Sequence, residues 1–245
     1  MKKIYILPNL FTTGNIFCGV YALSLILRDD PALYTRAAWF LLLAMVFDFV
    51  DGQLARLYRA TSSFGVELDS LADFLSFGVV TTILAYRVIL EQFRGFGVGV
   101  AFLYIVFTAL RLARFNIQVD REEKTDFKGL PSPVASGVVL SFFIFIRHFQ
   151  LPGEILIPFL MIVLSSLMVT NITYPTLLSL HLRKKQPFLY LVAIILMLVI
   201  LIAIPPVGVF AAFMIYLGMG LYQGMEIALR ERKAARLESP ADRTA

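Results

Sequence analysis

The chain has 245 residues, of which 59% are hydrophobic and only 16% are charged, and its formal net charge is +5. A mean hydropathy of +0.79 lies outside the range of soluble domains and excludes a water-soluble globular enzyme. The composition therefore predicts an all-α, polytopic integral membrane protein. Basic loops facing anionic lipid account for the positive charge, so we expect membrane lipids as partners and no nucleic acid.

Apolar stretches of about 20 residues, the length that crosses a bilayer as a helix, recur along the chain. We expect about eight transmembrane helices. The apolar run around Ile204-Pro205-Pro206 is too long for one crossing, so we interpret these residues as a tight turn between two spans. The approximate spans are 9–28, 37–57, 71–90, 96–115, 132–149, 154–174, 188–204 and 207–227.

Lysine and arginine concentrate in the loops on one side of these spans. The positive-inside rule therefore places both termini, and the loop between the second and third spans, in the cytoplasm. We expect a multi-pass protein of the cell (inner) membrane, with a membrane domain at 1–229 and a polar, frayed or disordered tail at 230–245. The basic residues on the predicted cytoplasmic side are Lys2, Lys3, Arg56, Arg59, Arg121, Lys124, Lys128, Arg183, Lys184, Lys185, Arg230, Arg232, Lys233 and Arg236.

Four aspartates stand at helical spacing at the cytoplasmic ends of the second and third spans. Asp48 and Asp51 are three residues apart and Asp69 and Asp73 are four apart, so each pair projects from one helix face. Antiparallel packing of the two spans would bring the pairs together. An ionised carboxylate in a membrane interior costs roughly 3 kcal/mol or more, which predicts neutralisation by a divalent cation. Carboxylate oxygens suit Mg²⁺ or Mn²⁺.

Small residues and a cation accompany the first aspartate pair. Gly52 and Ala55 would let a neighbouring helix or a bulky ligand approach the backbone closely. Arg56 follows Gly52 by one helical turn and is placed to clamp a phosphate that the metals also bind. Residues 58–65 are expected to supply the turn between the spans, closed by Gly65. Two metal ions in such a site would polarise a phosphoryl centre and stabilise its leaving group.

The complete run resembles the signature of the CDP-alcohol phosphatidyltransferase family. It reads Asp48-x2-Asp51-Gly52-x2-Ala55-Arg56-x8-Gly65-x3-Asp69-x3-Asp73. The resemblance implies that an alcohol attacks the phosphatidyl phosphorus of a CDP-linked lipid and that CMP leaves. It also implies a homodimer.

The same resemblance assigns roles to individual residues. It makes Asp48, Asp51 and Asp69 metal ligands, and it gives Asp73 both the second metal and the proton of the acceptor hydroxyl. The residues implied to contact the CDP portion are Gly52, Arg56 and Ser62, with Gly65 keeping the turn close to the nucleotide.

Residues 7–19, 110–116 and 127–133 resemble the phosphatidylserine synthase branch of that family. The specific matches place the active site within 1–135. This branch implies CDP-diacylglycerol and L-serine as substrates. Arg111 and Arg114 would supply a cation for the carboxylate of serine, and Asn116 a hydrogen-bonding group.

Several alternatives stay open. Glycerol 3-phosphate or an inositol phosphate is an alternative acceptor, and an archaeal ether lipid an alternative donor. Arginines at a helix end are often only anchors that reach the interface, which is the competing interpretation of Arg111 and Arg114. A cation or proton transporter also carries intramembrane carboxylates, but it typically places them near the midplane rather than at one end.

Overall fold

The computed structural model describes residues 6–57, 62–120, 129–170 and 197–238, and the regular structure of these residues is helical. The prediction of an all-α membrane protein is confirmed. Within these described ranges, five helices are long and apolar enough to cross a membrane. Residues 171–196, which contain most of the predicted seventh span, lie outside the described part, so the count of eight spans stays a prediction. The five are Asn9–Ile26, Pro31–Ala55, Ser63–Val88, Leu90–Ile117 and Pro205–Tyr222, with shorter apolar helices at Ser132–His148 and Glu154–Val169.

The helices are numbered in chain order over the described residues. A π-helix at Phe74–Val80 makes α3 continuous with α4, and short 3-10 helices at Leu90–Phe93 and Glu154–Leu156 precede α5 and α7. The α-helices are α1 Ile6–Ile26, α2 Pro31–Leu57, α3 Ser63–Asp73, α4 Thr81–Val88, α5 Arg94–Asp120, α6 Ser132–His148, α7 Ile157–Val169 and α8 Pro205–Glu238.

The third span begins earlier than hydropathy indicated. The helix starts at Ser63, not near residue 71, because the side chain of Ser62 caps it: its Oγ accepts a hydrogen bond from the Gly65 amide at 3.0 Å. Gly65 therefore lies in the first turn of α3, and the prediction that it closes the loop is wrong. The polar residues of α3 lower its hydropathy and hide its start. Asp69 consequently lies within a regular helix.

The chain reverses direction at Ile204, as the proline pair predicted. A methyl group added to Gly208 would come within 2.5 Å of the Leu201 Cα. Seven residues of a continuous helix would separate these positions by about 10 Å, so this close approach requires a sharp turn. Residues 197–203 and α8 are therefore two distinct segments.

The last helix is longer than expected. α8 extends to Glu238, so the prediction of a frayed or disordered tail is wrong for residues 230–238. Lysine, arginine, glutamate and alanine dominate this stretch, and these residues have high helix propensity even where no apolar face is present.

Close packing fixes α1 against α2 and α3. Ala22 of α1 and Ala37 and Ala38 of α2 are fully buried, and their small side chains let the helices approach closely. α1 also contacts the π-helix. As a result, the polar side chains on the inner face of α1 meet the aspartates of α2 and α3.

The contact between the start of α5 and the 3-10 helix that precedes it can be tested by substitution. A methyl group on Gly97 would overlap the carbonyl group of Leu90. We expect Gly97→Ala to destabilise the protein by about 1–3 kcal/mol, because the 3-10 turn must move to make room. The measurement is thermal unfolding of the purified protein in detergent.

Gly99→Ala is the matched control on the same helix. Among the described residues, no atom lies within 4 Å of its added methyl group. Alanine also has the higher helix propensity, by about 1 kcal/mol, so this variant should unfold at the wild-type temperature or above it. Equal unfolding temperatures for the two variants would contradict the described contact.

Candidate active site

Three carboxylates converge where α2 meets α3. One oxygen atom from each of Asp48, Asp51 and Asp69 lies within 4.8 Å of the others. The structure therefore brings together side chains from both predicted pairs. Asp51 is only 4% exposed, while Asp48 and Asp69 are half-buried.

Asp73 extends the group inward. Its carboxyl group contacts that of Asp48, and its side chain is buried. The π-helix begins at the next residue, Phe74. A π-helical turn changes the rotation of the chain per residue, and such turns frequently occur at functional sites. All four predicted aspartates thus belong to one cluster, which we call the carboxylate cluster.

Two side chains of α1 hold the carboxylate cluster by hydrogen bonds. Thr12 Oγ1 donates to Asp51 Oδ2 at 2.7 Å, and Asn15 Nδ2 donates to Asp73 Oδ1 at 3.4 Å. Both donors are buried and lie three residues apart, on one face of α1. The sequence placed them in a segment resembling the phosphatidylserine synthase branch, and the structure adds that each orients one aspartate from a different helix.

Arg111 provides a positive charge beside the carboxylate cluster. Its guanidinium interacts electrostatically with Asp48, Asp69 and Asp73. The Nη1 atom donates to Ser132 Oγ at 2.7 Å, which fixes the side chain from α6. Because α5 continues to Asp120, Arg111 lies within the helix. Its contacts are those of an internal counter-ion, and the alternative of an anchor at a helix end is wrong for this residue.

The other two predicted acceptor residues point in different directions. Arg114 Nη1 donates to the backbone carbonyl of Val169 at 3.4 Å, at the end of α7. Asn116 Oδ1 accepts from Ser70 Oγ at 3.0 Å, which places it next to the residue that follows Asp69. Their role in binding an acceptor stays a prediction.

Two of the predicted nucleotide-binding residues, Ser62 and Gly65, lie at the start of α3. A Cβ at Gly65 would lie 3.1 Å from Ser62 Oγ and 3.2 Å from Asn9 Oδ1, so glycine permits a close approach of α1. The Gly52 amide contacts the carboxylate of Asp51. The side chain of Arg56 lies outside the described residues. No contact with a nucleotide is tested, and these roles stay predictions.

Two residues of the site were not singled out by the sequence. Ser132 stands in a Pro-Ser-Pro run that reads as a rigid helix entry, yet it binds Arg111. Tyr216 of α8 interacts electrostatically with Arg111. Ser132 lies in segment 127–133, whose resemblance to the phosphatidylserine synthase branch gave an indirect signal for it. Tyr216 lies in an ordinary apolar helix far along the chain, where no pattern marked it.

The donor set fits a hard divalent cation. Asp69 Oδ1 is buried and has no hydrogen-bond partner among the described residues, so a cation would satisfy it. The contacts among the carboxylates of Asp48, Asp69 and Asp73 are repulsive when all are ionised, and the single charge of Arg111 does not balance them. Mg²⁺ and Mn²⁺ prefer such oxygen ligands.

Comparison with known proteins decides the family. The model of the CDP-alcohol phosphatidyltransferase family matches residues 5–223. The chain belongs to this family. The resemblance drawn from the aspartate motif is thus confirmed, and the match extends beyond the motif into α8, as far as residue 223.

Relatives within the CDP-alcohol phosphatidyltransferase family carry related names. A CDP-diacylglycerol–serine O-phosphatidyltransferase from Helicobacter pylori (strain ATCC 700392 / 26695) is 33% identical over 234 residues, 94% of this chain and 95% of that protein. One of the same name from Bacillus subtilis is 38% identical over 138 residues, 56% of this chain and 75% of its own. An archaetidylserine synthase from Methanothermobacter thermautotrophicus is 36% identical over 171 residues, 69% of each chain.

The hydrogen bond from α1 to the carboxylate cluster can be tested with variants of the adjacent residues Thr12 and Thr13. Thr12→Val removes the donor to Asp51 while keeping the shape of the side chain. We expect phosphatidyltransferase activity to fall about tenfold or more, as when a residue that orients a metal ligand is lost. The measurement is the initial rate of the purified protein at saturating substrate and metal.

Thr13→Val is the matched control. Thr13 donates to the Asn9 carbonyl of its own helix at 2.8 Å and has an exposed side chain. Its replacement should change the rate by less than about twofold, since a hydrogen bond of this kind contributes little. Equal losses in the two variants would show that the effect concerns α1 as a whole.

Proposed function

We propose that this protein is a phosphatidylserine synthase. It transfers the phosphatidyl group of CDP-diacylglycerol to the hydroxyl of L-serine, and it releases phosphatidylserine and CMP. The observation that carries the proposal is the carboxylate cluster, with the oxygens of Asp48, Asp51 and Asp69 within 4.8 Å of one another in the motif of the family.

The carboxylate cluster would hold two divalent cations, Mg²⁺ or Mn²⁺. Asp48, Asp51 and Asp69 are the proposed ligands, and Asp73 completes the second position. When bound, the ions supply charge neutralisation for the diphosphate and stabilise the departing phosphate. The buried Asp69 Oδ1 without a partner among the described residues supports this assignment.

The reaction is a displacement at phosphorus. The serine hydroxyl oxygen forms a bond to the phosphorus that bears diacylglycerol, and the bond from that phosphorus to the oxygen bridging to CMP breaks. CMP leaves with the electron pair of that bond. Asp73 takes the hydroxyl proton, and the Asn15 side chain holds its carboxylate in place. A carboxylate is a weak base for an alcohol, so coordination of the alcohol to a cation or late proton transfer would have to contribute.

The nucleotide half of the donor would lie at the start of α3. Gly52, Ser62 and Arg56 would contact the CDP moiety, and Gly65 would keep the chain close to it. The close packing of Gly65 against Ser62 and Asn9 supports a role in bringing α1 to this point, because a larger side chain would displace these neighbours.

Serine is the proposed acceptor for two reasons. Arg111 carries a positive charge beside the reacting centre, suited to an α-carboxylate, while Arg114 and Asn116 would complete the acceptor pocket. The names of the relatives from Helicobacter pylori, Bacillus subtilis and Methanothermobacter thermautotrophicus all include serine, although they name different lipids. What these proteins share by name is therefore the acceptor.

We further propose that the site faces the cytoplasm of a cell-membrane protein whose membrane domain covers 1–229. Basic residues in the loops on the side of the carboxylate cluster support this orientation. The active site is proposed to lie chiefly within 1–135, with 230–245 as a polar cytoplasmic extension. A homodimer is proposed from the family resemblance.

The proposed roles of Asp69 and Asp73 can be tested by substitution, with a neighbouring carboxylate as the control. We expect Asp69→Asn and Asp73→Asn each to lower activity at least about a thousandfold, because an amide neither carries the charge that holds the cation nor accepts the proton. Glu67→Gln is the control, since Glu67 lies on α3 with an exposed side chain. Its activity should stay within about twofold of wild type.

Metal removal complements these variants. Dialysis against a chelator should abolish the activity of the wild type, and Mg²⁺ or Mn²⁺ should restore it, whereas Asp69→Asn should not recover. A folded Asp69→Asn variant with full metal-dependent activity would exclude the proposed ligand set. Size-exclusion chromatography establishes that each variant is folded.

The acceptor is tested by CMP release from CDP-diacylglycerol with L-serine, glycerol 3-phosphate and an inositol phosphate in parallel. We expect serine to support a rate at least about a hundredfold above the others, because a pocket built for one set of polar groups rejects ligands that leave those groups unpaired. A preference for either phosphorylated acceptor would refute serine and leave the family assignment intact.

A further inference from the structure

A second cavity opens at the end of the helix bundle opposite the carboxylate cluster. It encloses about 700 Å³ between the start of α2, the end of α6, the loop that follows α6, and Pro206 of α8. The start of α2 at Pro31 lies about 25 Å from Asp48 along the helix axis. The cavity is therefore separate from the proposed active site, and we call it the distal cavity.

The mouth of the distal cavity carries one positive and one negative side chain. Arg147 Nη1 lies 3.4 Å from Glu154 Oε1, a long contact between side chains that are 42% and 30% exposed. His148 lies beside Arg147 and its ring packs edge-on against Phe149 at 4.9 Å. The mouth thus offers donors for an anion next to an acceptor for a cation.

Part of the lining of the distal cavity is apolar. Trp39 of α2, Ile144 and Ile146 of α6, and Leu151 of the loop contribute apolar side chains, beside the polar Thr35 and Gln150. A polar mouth above an apolar wall matches an amphiphile whose head is charged and whose body is hydrocarbon. Trp39 lies about two turns inside α2 from Pro31 and lines the cavity from that helix.

The loop that bounds the distal cavity is held firmly on α6. Gln150 has a φ of 53°, in the left-handed region, and the Leu151 amide donates to the Ile146 carbonyl at 2.9 Å. A Cβ on Gly153 would approach Ile146 Cγ2 to 3.0 Å. These contacts preform the wall, so a ligand would not have to order this loop.

We propose that the distal cavity binds the headgroup of a zwitterionic phospholipid with a primary ammonium, such as phosphatidylethanolamine. The phosphate lies against Arg147 and His148, and the ammonium lies against Glu154. The glycerol and the first chain carbons contact Trp39. The ends of the membrane-spanning helices place the cavity at the level of lipid headgroups, and its paired charges match a headgroup with both signs. The proposal does not depend on the activity of the carboxylate cluster.

The test is lipid retention by native mass spectrometry of the full chain in detergent. The protein is titrated with phosphatidylethanolamine, phosphatidylcholine and phosphatidylglycerol of identical chains. We expect phosphatidylethanolamine to bind at least about tenfold more tightly than the others, and Arg147→Gln and Glu154→Gln each to weaken it about tenfold. Phosphatidylcholine lacks the N–H donors for Glu154, and phosphatidylglycerol lacks the cation.

Matched controls remove charge at the same end of the bundle but outside the distal cavity. Arg28→Gln and Glu91→Gln should leave the affinity for phosphatidylethanolamine unchanged, since neither residue lines the cavity. Equal binding of the three lipids, or equal losses in the control variants, would overturn the proposal. Displacement by soluble phosphoethanolamine at the same concentration would also overturn it, because the ligand would then not be a lipid.

Discussion

The burial of several carboxylates at one end of an apolar helix bundle is the constraint on which the rest of this structure depends. Water solvates such groups strongly, and a membrane protein that withdraws them from water must supply replacements. Among the described side chains the replacements are hydroxyl and amide donors on α1 and the guanidinium of Arg111 on α5. Carboxylate oxygens such as Asp69 Oδ1 also suit a divalent cation. The packing of α1, α2, α3 and α5 serves to bring these groups together.

Helical spacing was enough to predict the carboxylate cluster, because a repeat of three or four residues fixes which side chains share a face. It could not predict the beginning of α3, where a serine cap outweighs low hydropathy, nor the helical extension of α8. Helical spacing also could not predict the partners of Arg111. Ser132 and Tyr216 reach the site through the packing of α6 and α8, and a contact between distant segments leaves no periodic signal in the sequence.

The position of the site also explains how two unlike substrates can meet. A lipid donor stays in the bilayer, whereas an amino acid arrives from water. Asp48 and Asp51 lie towards the end of α2, and Asp69, half-buried in α3, brings its carboxylate to them. The apolar length of the helices below them provides the membrane anchor and a hydrocarbon surface for acyl chains.

The π-helix at Phe74–Val80 lets the two ends of one transmembrane span face different neighbouring helices. A turn with an extra residue shifts everything beyond it by about 100° around the axis relative to a regular α-helix. The portion that carries Asp69 and Asp73 can therefore turn its acidic face to α1 and α2, while Thr81 beyond it turns to Ser136 of α6. The π-helix thus sets a fixed rotational offset between the acidic face at one end of the span and the hydroxyl face at the other, so that each meets a different neighbouring helix.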